Sequence, residues 1–155
     1  MLEIQKYLRS GKTPEDLKKD LGINTYFHPT LPLMGAKYDQ IDSPKGDPIV
    51  IEARGIVLEK ATWNLVAKSF NRFFNLGEQP ELFKDFDWTD FVCDTKEDGS
   101  LIILYNYQDR WLVNTSGSFG LGECNFSKKT WGELFWSTFG KDPETLDPFK
   151  HLTLI

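Results

Sequence analysis

Lys96-Glu97-Asp98-Gly99 is the segment of this sequence with the clearest chemical potential. A lysine amine is a nucleophile only when deprotonated, and an unperturbed lysine, with pKa about 10.4, is almost wholly protonated at neutral pH. Nearby cations lower that pKa and free the lone pair. Phe91 to Thr95 is expected to form a short strand, with Phe91, Cys93 and Thr95 on one face. Lys96 would then stand at a strand end, fixed by a tight Asp98-Gly99 turn rather than waving on a helix surface. The same residues also suit a solvated β-turn carrying a surface lysine, and the four-residue pattern alone does not choose.

Other chemistries lack their residues. There is no GxxxxGK[ST] phosphate loop, and the glycines of Gly117-Ser118-Phe119-Gly120-Leu121-Gly122 are in the wrong order for a dinucleotide fingerprint. That stretch is expected to be a flexible turn after a strand. His28 and His151 lie far apart, and no Cys or His pair has zinc-ligand spacing. Cys93 and Cys124 are the only cysteines, too few for a disulfide framework, so a reducing compartment is expected. Met1 to Lys6 lacks the basic flank and apolar block of a signal peptide. Without one, the Asn114-Thr115-Ser116 and Asn125-Phe126-Ser127 sequons carry little weight. Apolar runs such as Leu101 to Tyr105 fall far short of the ~20 residues of a membrane span. The expected location is cytoplasmic, meaning the host cytoplasm if the chain is phage-encoded.

The elements that must position Lys96 follow from composition and punctuation. The chain has 155 residues, 40% hydrophobic and 26% charged, which suits one globular domain with a real core or a piece of a larger one. A net charge of -5 argues against coating nucleic acid by bulk positive charge, but leaves room for a local basic pocket that grips an end. Residues 1–22 read as two short helices packing on the main body. Thr13-Pro14-Glu15-Asp16 is a helix start, and Gly11 and Gly22 are stops. From Ile23 onward Pro and Gly punctuate short apolar segments. Strands are expected at Ile49 to Ala53, Gly55 to Glu59 and Asn64 to Phe70. Ser100 to Tyr107 and Arg110 to Thr115 read as a hairpin whose turn, Gln108-Asp109, lacks the usual glycine. Phe126 to Phe139 is helical in pattern, capped by Asn125 or Ser127 and ended by Gly140. Leu152 to Ile155 looks like the opening of a strand. Many short strands with helices at both ends, without βαβ alternation, predict an α+β fold with a mainly antiparallel sheet.

Three segments in order carry a resemblance. Glu52-Ala53-Arg54-Gly55-Ile56-Val57-Leu58-Glu59 resembles the Arg-Gly strand of the ATP-dependent RNA ligases of the T-even-phage type. Phe70-Asn71-Arg72-Phe73-Phe74-Asn75-Leu76-Gly77-Glu78 is similar to that family's basic-Phe-Phe-Asn-Leu segment. Lys96-Glu97-Asp98-Gly99-Ser100-Leu101 matches its nucleotidyl-acceptor motif. DNA ligases and mRNA capping enzymes of the same superfamily commonly carry Arg two residues after the glycine, where Leu101 stands here.

The resemblance implies that residues 23–155 are the N-terminal portion of an adenylyltransferase domain, cut short at the C-terminus. It implies that Lys96 attacks ATP and carries AMP as a phosphoramide. The AMP then passes to an RNA 5′-phosphate, and a 3′-hydroxyl displaces it. Arg54 and Arg72 match nucleotide-contacting positions, although each also suits a surface ion pair, and relatives also use lysine at the place of Arg72. Phe74 matches an aromatic that shapes the nucleotide pocket or simply fills the core. Thr95, Asp98 and Gly99 would present the lysine and its nucleotide, and Tyr38 lies where relatives carry a pocket tyrosine. Ser116 falls in the next motif, where some relatives have a basic residue. Mg²⁺ or Mn²⁺ is implied, with ligands expected largely beyond residue 155, so no metal ligand is assigned. A non-catalytic module binding a nucleotide or RNA end, and a DNA ligase or guanylyltransferase, remain the alternatives.

Overall fold

The computed structural model of the chain describes residues 1–125 and 127–140. His151, Phe126 and the strand expected at Leu152 to Ile155 lie outside them. Helix α1 spans Glu3–Arg9 and α2 spans Pro14–Leu21. Thr13 caps α2 by accepting the Asp16 amide, Pro14 occupies the first turn, and Gly22 closes the helix in the left-handed region. Strands β1 (Asn24–Phe27), β2 (Leu33–Lys37), β3 (Arg54–Glu59) and β4 (Leu65–Ala67) form an antiparallel sheet in that order. Strands β5 (Ile102–Tyr107) and β6 (Arg110–Thr115) form a separate antiparallel hairpin. The fold is α+β, as the sequence predicts.

Alternation along β2 and β3 divides the core into two layers. Met34, Ala36, Ile56 and Leu58 face Ile4, Leu8 and Leu17 of the N-terminal helices. Leu33 and Val57 face the other way, against Ile103, Tyr105 and Phe119. The central strands are therefore covered on both faces, by helices on one side and the hairpin on the other. The hairpin turn works without glycine because Gln108 and Asp109 both adopt positive φ, 52° and 60°.

Four expectations need correction. Ile49 to Ala53 is not a strand; Pro48–Glu52 is a helix, α3. The β-branched run Ile49-Val50-Ile51 favours a strand, but Asp47 accepts the amides of Ile49 (2.8 Å) and Val50 (3.3 Å), and Pro48 sets the first helical φ. Phe91 to Thr95 is not a strand: a strand needs a partner for its backbone groups, and among the described residues none is supplied. Val92 is 86% exposed there. The last helix, α4, runs over Trp131–Phe139; its cap is Thr130, which accepts the Glu133 amide, not Asn125 or Ser127. Gly140 ends it as expected. The Gly117–Gly122 stretch is more ordered than a flexible turn. It returns on β6 through a bridge between Asn114 and Phe119, and Phe119 is buried.

Gly55 sets the direction of the site. Lys37 pairs with Arg54 and Ala36 with Ile56, so Gly55 is the extra residue of a bulge, at φ +70°. In an unbroken strand Arg54 and Ile56 would share a face. The bulge sends them to opposite ones. A Cβ at position 55 would lie 2.8 Å from Ile103 Cδ1 and 3.0 Å from Ser116 Cα. Gly55→Ala is expected to lower stability by about 1–3 kcal/mol. Gly122→Ala, with no neighbour within 4 Å, should stay within about 0.5 kcal/mol; denaturant titration of both variants checks the contrast.

Candidate active site

The C-terminal end of α3 and the start of β3 form a corner to which three segments are tied. The Tyr38 amide donates to the Ala53 carbonyl at 2.7 Å, and the Arg72 amide donates to the Ile51 carbonyl at 2.8 Å. The Ser69 hydroxyl donates to the Arg54 carbonyl. Helix-end carbonyls need partners outside the helix, and here those partners bring Tyr38, Arg54 and Arg72 together. They line a cavity of about 290 Å³, with Gln40, Phe73, Phe74, Asn75, Glu78 and Lys96.

Aromatic rings hold the two guanidiniums. Arg54 lies 4.0 Å from the Phe70 ring centre and 4.5 Å from that of Phe73, and the two rings stack on each other. Arg72 lies 4.1 Å from the Tyr38 ring centre and 5.3 Å from that of Phe74. Such contacts attract a cation without neutralising it. Arg72 is only 6% exposed, yet among the described residues neither arginine makes a hydrogen bond or ion pair through its side chain. The Nη1 atom of each is buried and unpartnered. Burial pulls the Arg54 guanidinium below its ordinary pKa, but arginine stays charged in proteins.

Glu78 is the acid on this cavity, and it is engaged elsewhere. It accepts from Lys45 and from the Asn75 amide at 3.1 Å. Lys45, then that amide, then the charge of Arg72 hold its carboxyl below the usual range. Lys96 stands on the rim, its side chain 68% exposed and 3.3 Å from Asp98. Two fixed cations with donors to spare, facing an amine across a polar cavity, are arranged to take an oxyanion of phosphate type.

The cavity thus gathers Tyr38, Arg54, Arg72, Phe74 and Lys96. Thr95, Asp98 and Gly99 are exposed beside Lys96 and do not line it. Ser116 lies outside the lining as well; its backbone packs over Gly55, and its carbonyl accepts from the Tyr26 hydroxyl at 3.5 Å. Sequence reasoning missed Gln40, Phe73, Asn75 and Glu78 as lining residues, and Phe70 as a platform. All but Gln40 fall in the Phe70–Glu78 segment, so the signal was the segment and not its individual residues. No group of three or more His, Cys, Asp or Glu side chains that could hold a metal occurs among the described residues. No helix among them is long and apolar enough to cross a membrane.

A model of the RNA ligase family matches residues 52–150, well over half of the chain. The chain belongs to the T-even-phage type of RNA ligase family. It is 29% identical over 126 residues to the "Putative bifunctional polynucleotide kinase/RNA ligase" of Autographa californica nuclear polyhedrosis virus, covering 76% of this chain and 18% of that protein. It is 27% identical over 138 residues to an RNA ligase of Rhodothermus phage RM378, covering 70% of this chain and 30% of that protein. The chain therefore spans less than a third of the length of either relative. The family match includes the Arg-Gly strand, the Phe-Phe-Asn segment and the Lys96 motif, which carry the cavity apart from Tyr38 and Gln40.

Arg72→Met removes a buried charge without an ion pair among the described residues, and also its ring contacts, two effects of opposite sign. Its stability should therefore remain within about 1 kcal/mol of the native chain, as denaturant titration of the two would measure.

Proposed function

We propose that this chain is the nucleotide-accepting part of an ATP-dependent RNA ligase, with Lys96 as the residue that becomes lysyl-AMP. The observation that carries the reading is the shared cavity. Lys96 opens onto the same space as two arginines whose buried Nη1 atoms have no protein partner. In the proposed reaction the Lys96 Nζ passes a proton to solvent water and gives up its contact with Asp98. It then attacks the α-phosphorus of ATP, the bond to pyrophosphate breaks, and a P–N bond forms. Arg54 and Arg72 would hold phosphate oxygens and offset charge as it moves onto the leaving group. Tyr38 and Phe74 back Arg72 and give the cavity its aromatic wall. The AMP then moves to an RNA 5′-phosphate, and a 3′-hydroxyl displaces it as the strand is sealed. Each step is an in-line displacement in which positioning dominates.

The described residues offer no ligand set for Mg²⁺ or Mn²⁺, so no step is assigned to a metal held by them. For that reason adduct formation by the 155 residues alone should be weak compared with that of a longer protein containing them. The exposure of Lys96 also suits a module that binds a nucleotide without transferring it. ATP labelled at the α-phosphorus, supplied with Mg²⁺, separates the two. On the ligase reading the label becomes covalently attached, acid-labile and alkali-stable as a phosphoramide is, and Lys96→Ala abolishes it. ATP binding with no covalent label in any protein containing the chain would support the module instead. A labelled Lys96→Ala protein would reject the site.

A further inference from the structure

Lys37 stands directly opposite Arg54 in the β2–β3 register. Cross-strand neighbours share a face, and two like charges so placed repel. A carboxylate between them would be the ordinary remedy, yet among the described residues Lys37 makes no hydrogen bond or ion pair and Arg54 keeps its unpartnered Nη1. Acids on the surrounding segments are committed elsewhere. Asp39 accepts the amides of Ile41 and Asp42. Glu52 accepts those of Glu3 and Ile4, and Glu59 accepts from Thr62 and Tyr107. Lys37 is nonetheless positioned. It is half-buried, and a Cβ on Gly117 would lie 3.3 Å from its Cδ and 3.7 Å from its Nζ, so the bare glycine makes room for it. The polar groups of that turn satisfy one another: Thr115 and Ser118 hydroxyls lie 2.9 Å apart, and the Gly117 amide donates to Thr115 Oγ1.

We infer that Lys37 and Arg54 together form a two-cation clamp for the polyphosphate chain of the bound nucleotide, with Lys37 as a phosphate-contacting residue. The inference rests on the reading that the neighbouring cavity takes ATP. An anion between the two cations would turn their repulsion into paired attraction and supply the acceptor that Arg54 Nη1 lacks. It would also explain why the β6 turn leaves room for a lysine tip without offering it an acid.

Inorganic tripolyphosphate, ATP and adenosine are titrated into the full chain and into Lys37→Met and Lys37→Arg by calorimetry. Lys37→Met should weaken tripolyphosphate and ATP by roughly tenfold, the loss of one charge-assisted bond. Adenosine should bind as before, and Lys37→Arg should recover most of the affinity. Unchanged tripolyphosphate affinity overturns the inference. So does its absence in the native chain, or an equal loss for adenosine, which would mark a structural role. The Lys96 adduct is assayed in parallel. An adduct formed at the native rate, with no effect on tripolyphosphate, rejects the clamp alone. A clamp lost in Lys37→Met, with no adduct in any protein containing the chain, upholds the clamp and rejects the ligase reading.

Discussion

The carbonyls of Ile51 and Ala53 are the constraint on which the site depends. A five-residue helix leaves most of its carbonyls without internal partners, and burying them unpaired would be costly. Here they accept the amides of Arg72 and Tyr38, residues from segments on either side of it in sequence. One local need for hydrogen-bond partners thus fixes two long-range positions. Glu52, the last residue of α3, extends the arrangement by accepting the first two amides of α1. Asp47, which starts the helix, is therefore as much a determinant of the cavity as any residue lining it.

Charge placement in the cavity runs against stability. Among the described residues neither the buried Arg72 nor the half-buried Arg54 is ion-paired to an acid, and outside the cavity lining Lys37 stands across from Arg54. Arg54 and Arg72 would each gain from a carboxylate, and the structure supplies aromatic faces instead. Rings attract a cation while leaving its N–H donors free along the plane of the guanidinium. An aromatic mount therefore preserves what a salt bridge would consume. This is a local rule broken where function asks for it, and it gives the richness in phenylalanine a meaning beyond core filling: Phe70, Phe73 and Phe74 serve as supports for charge.

Features encoded by adjacent residues were legible in the sequence. Thr13-Pro14 with Gly22 bounded a helix, the β5–β6 hairpin followed from its two β-rich runs, and the Arg-Gly, Phe-Phe-Asn and Lys96 segments pointed to one cavity. Misreadings arose where two signals competed or a partner was missing. Ile49-Val50-Ile51 reads as a strand until the Asp47 cap is given its due. Phe91 to Thr95 alternates like a strand but has no neighbour to pair with among the described residues. The positions of Lys37 and Glu78 could not be read at all. They depend on a bulge register and on a contact to Lys45, thirty-three positions away, and neither leaves a mark in local pattern.

The contrast between the arginines and Lys96 has a physical logic under the proposed reaction. Arg54 and Arg72 sit on backbone pinned to α3 and β3, so their donors are in place before any nucleotide arrives and no reorganisation is needed when charge develops. Lys96 has a different task. It would be a free amine in one state, a nucleophile in the next, and the bearer of a bulky nucleotide in a third. A side chain locked in a packed layer could satisfy only one of those geometries. On the rim, in contact with Asp98 and largely open to water, it can reach the cavity from its own side while the phosphate oxygens stay with the arginines. Fixed cations and an accessible amine are complementary halves of one displacement at phosphorus.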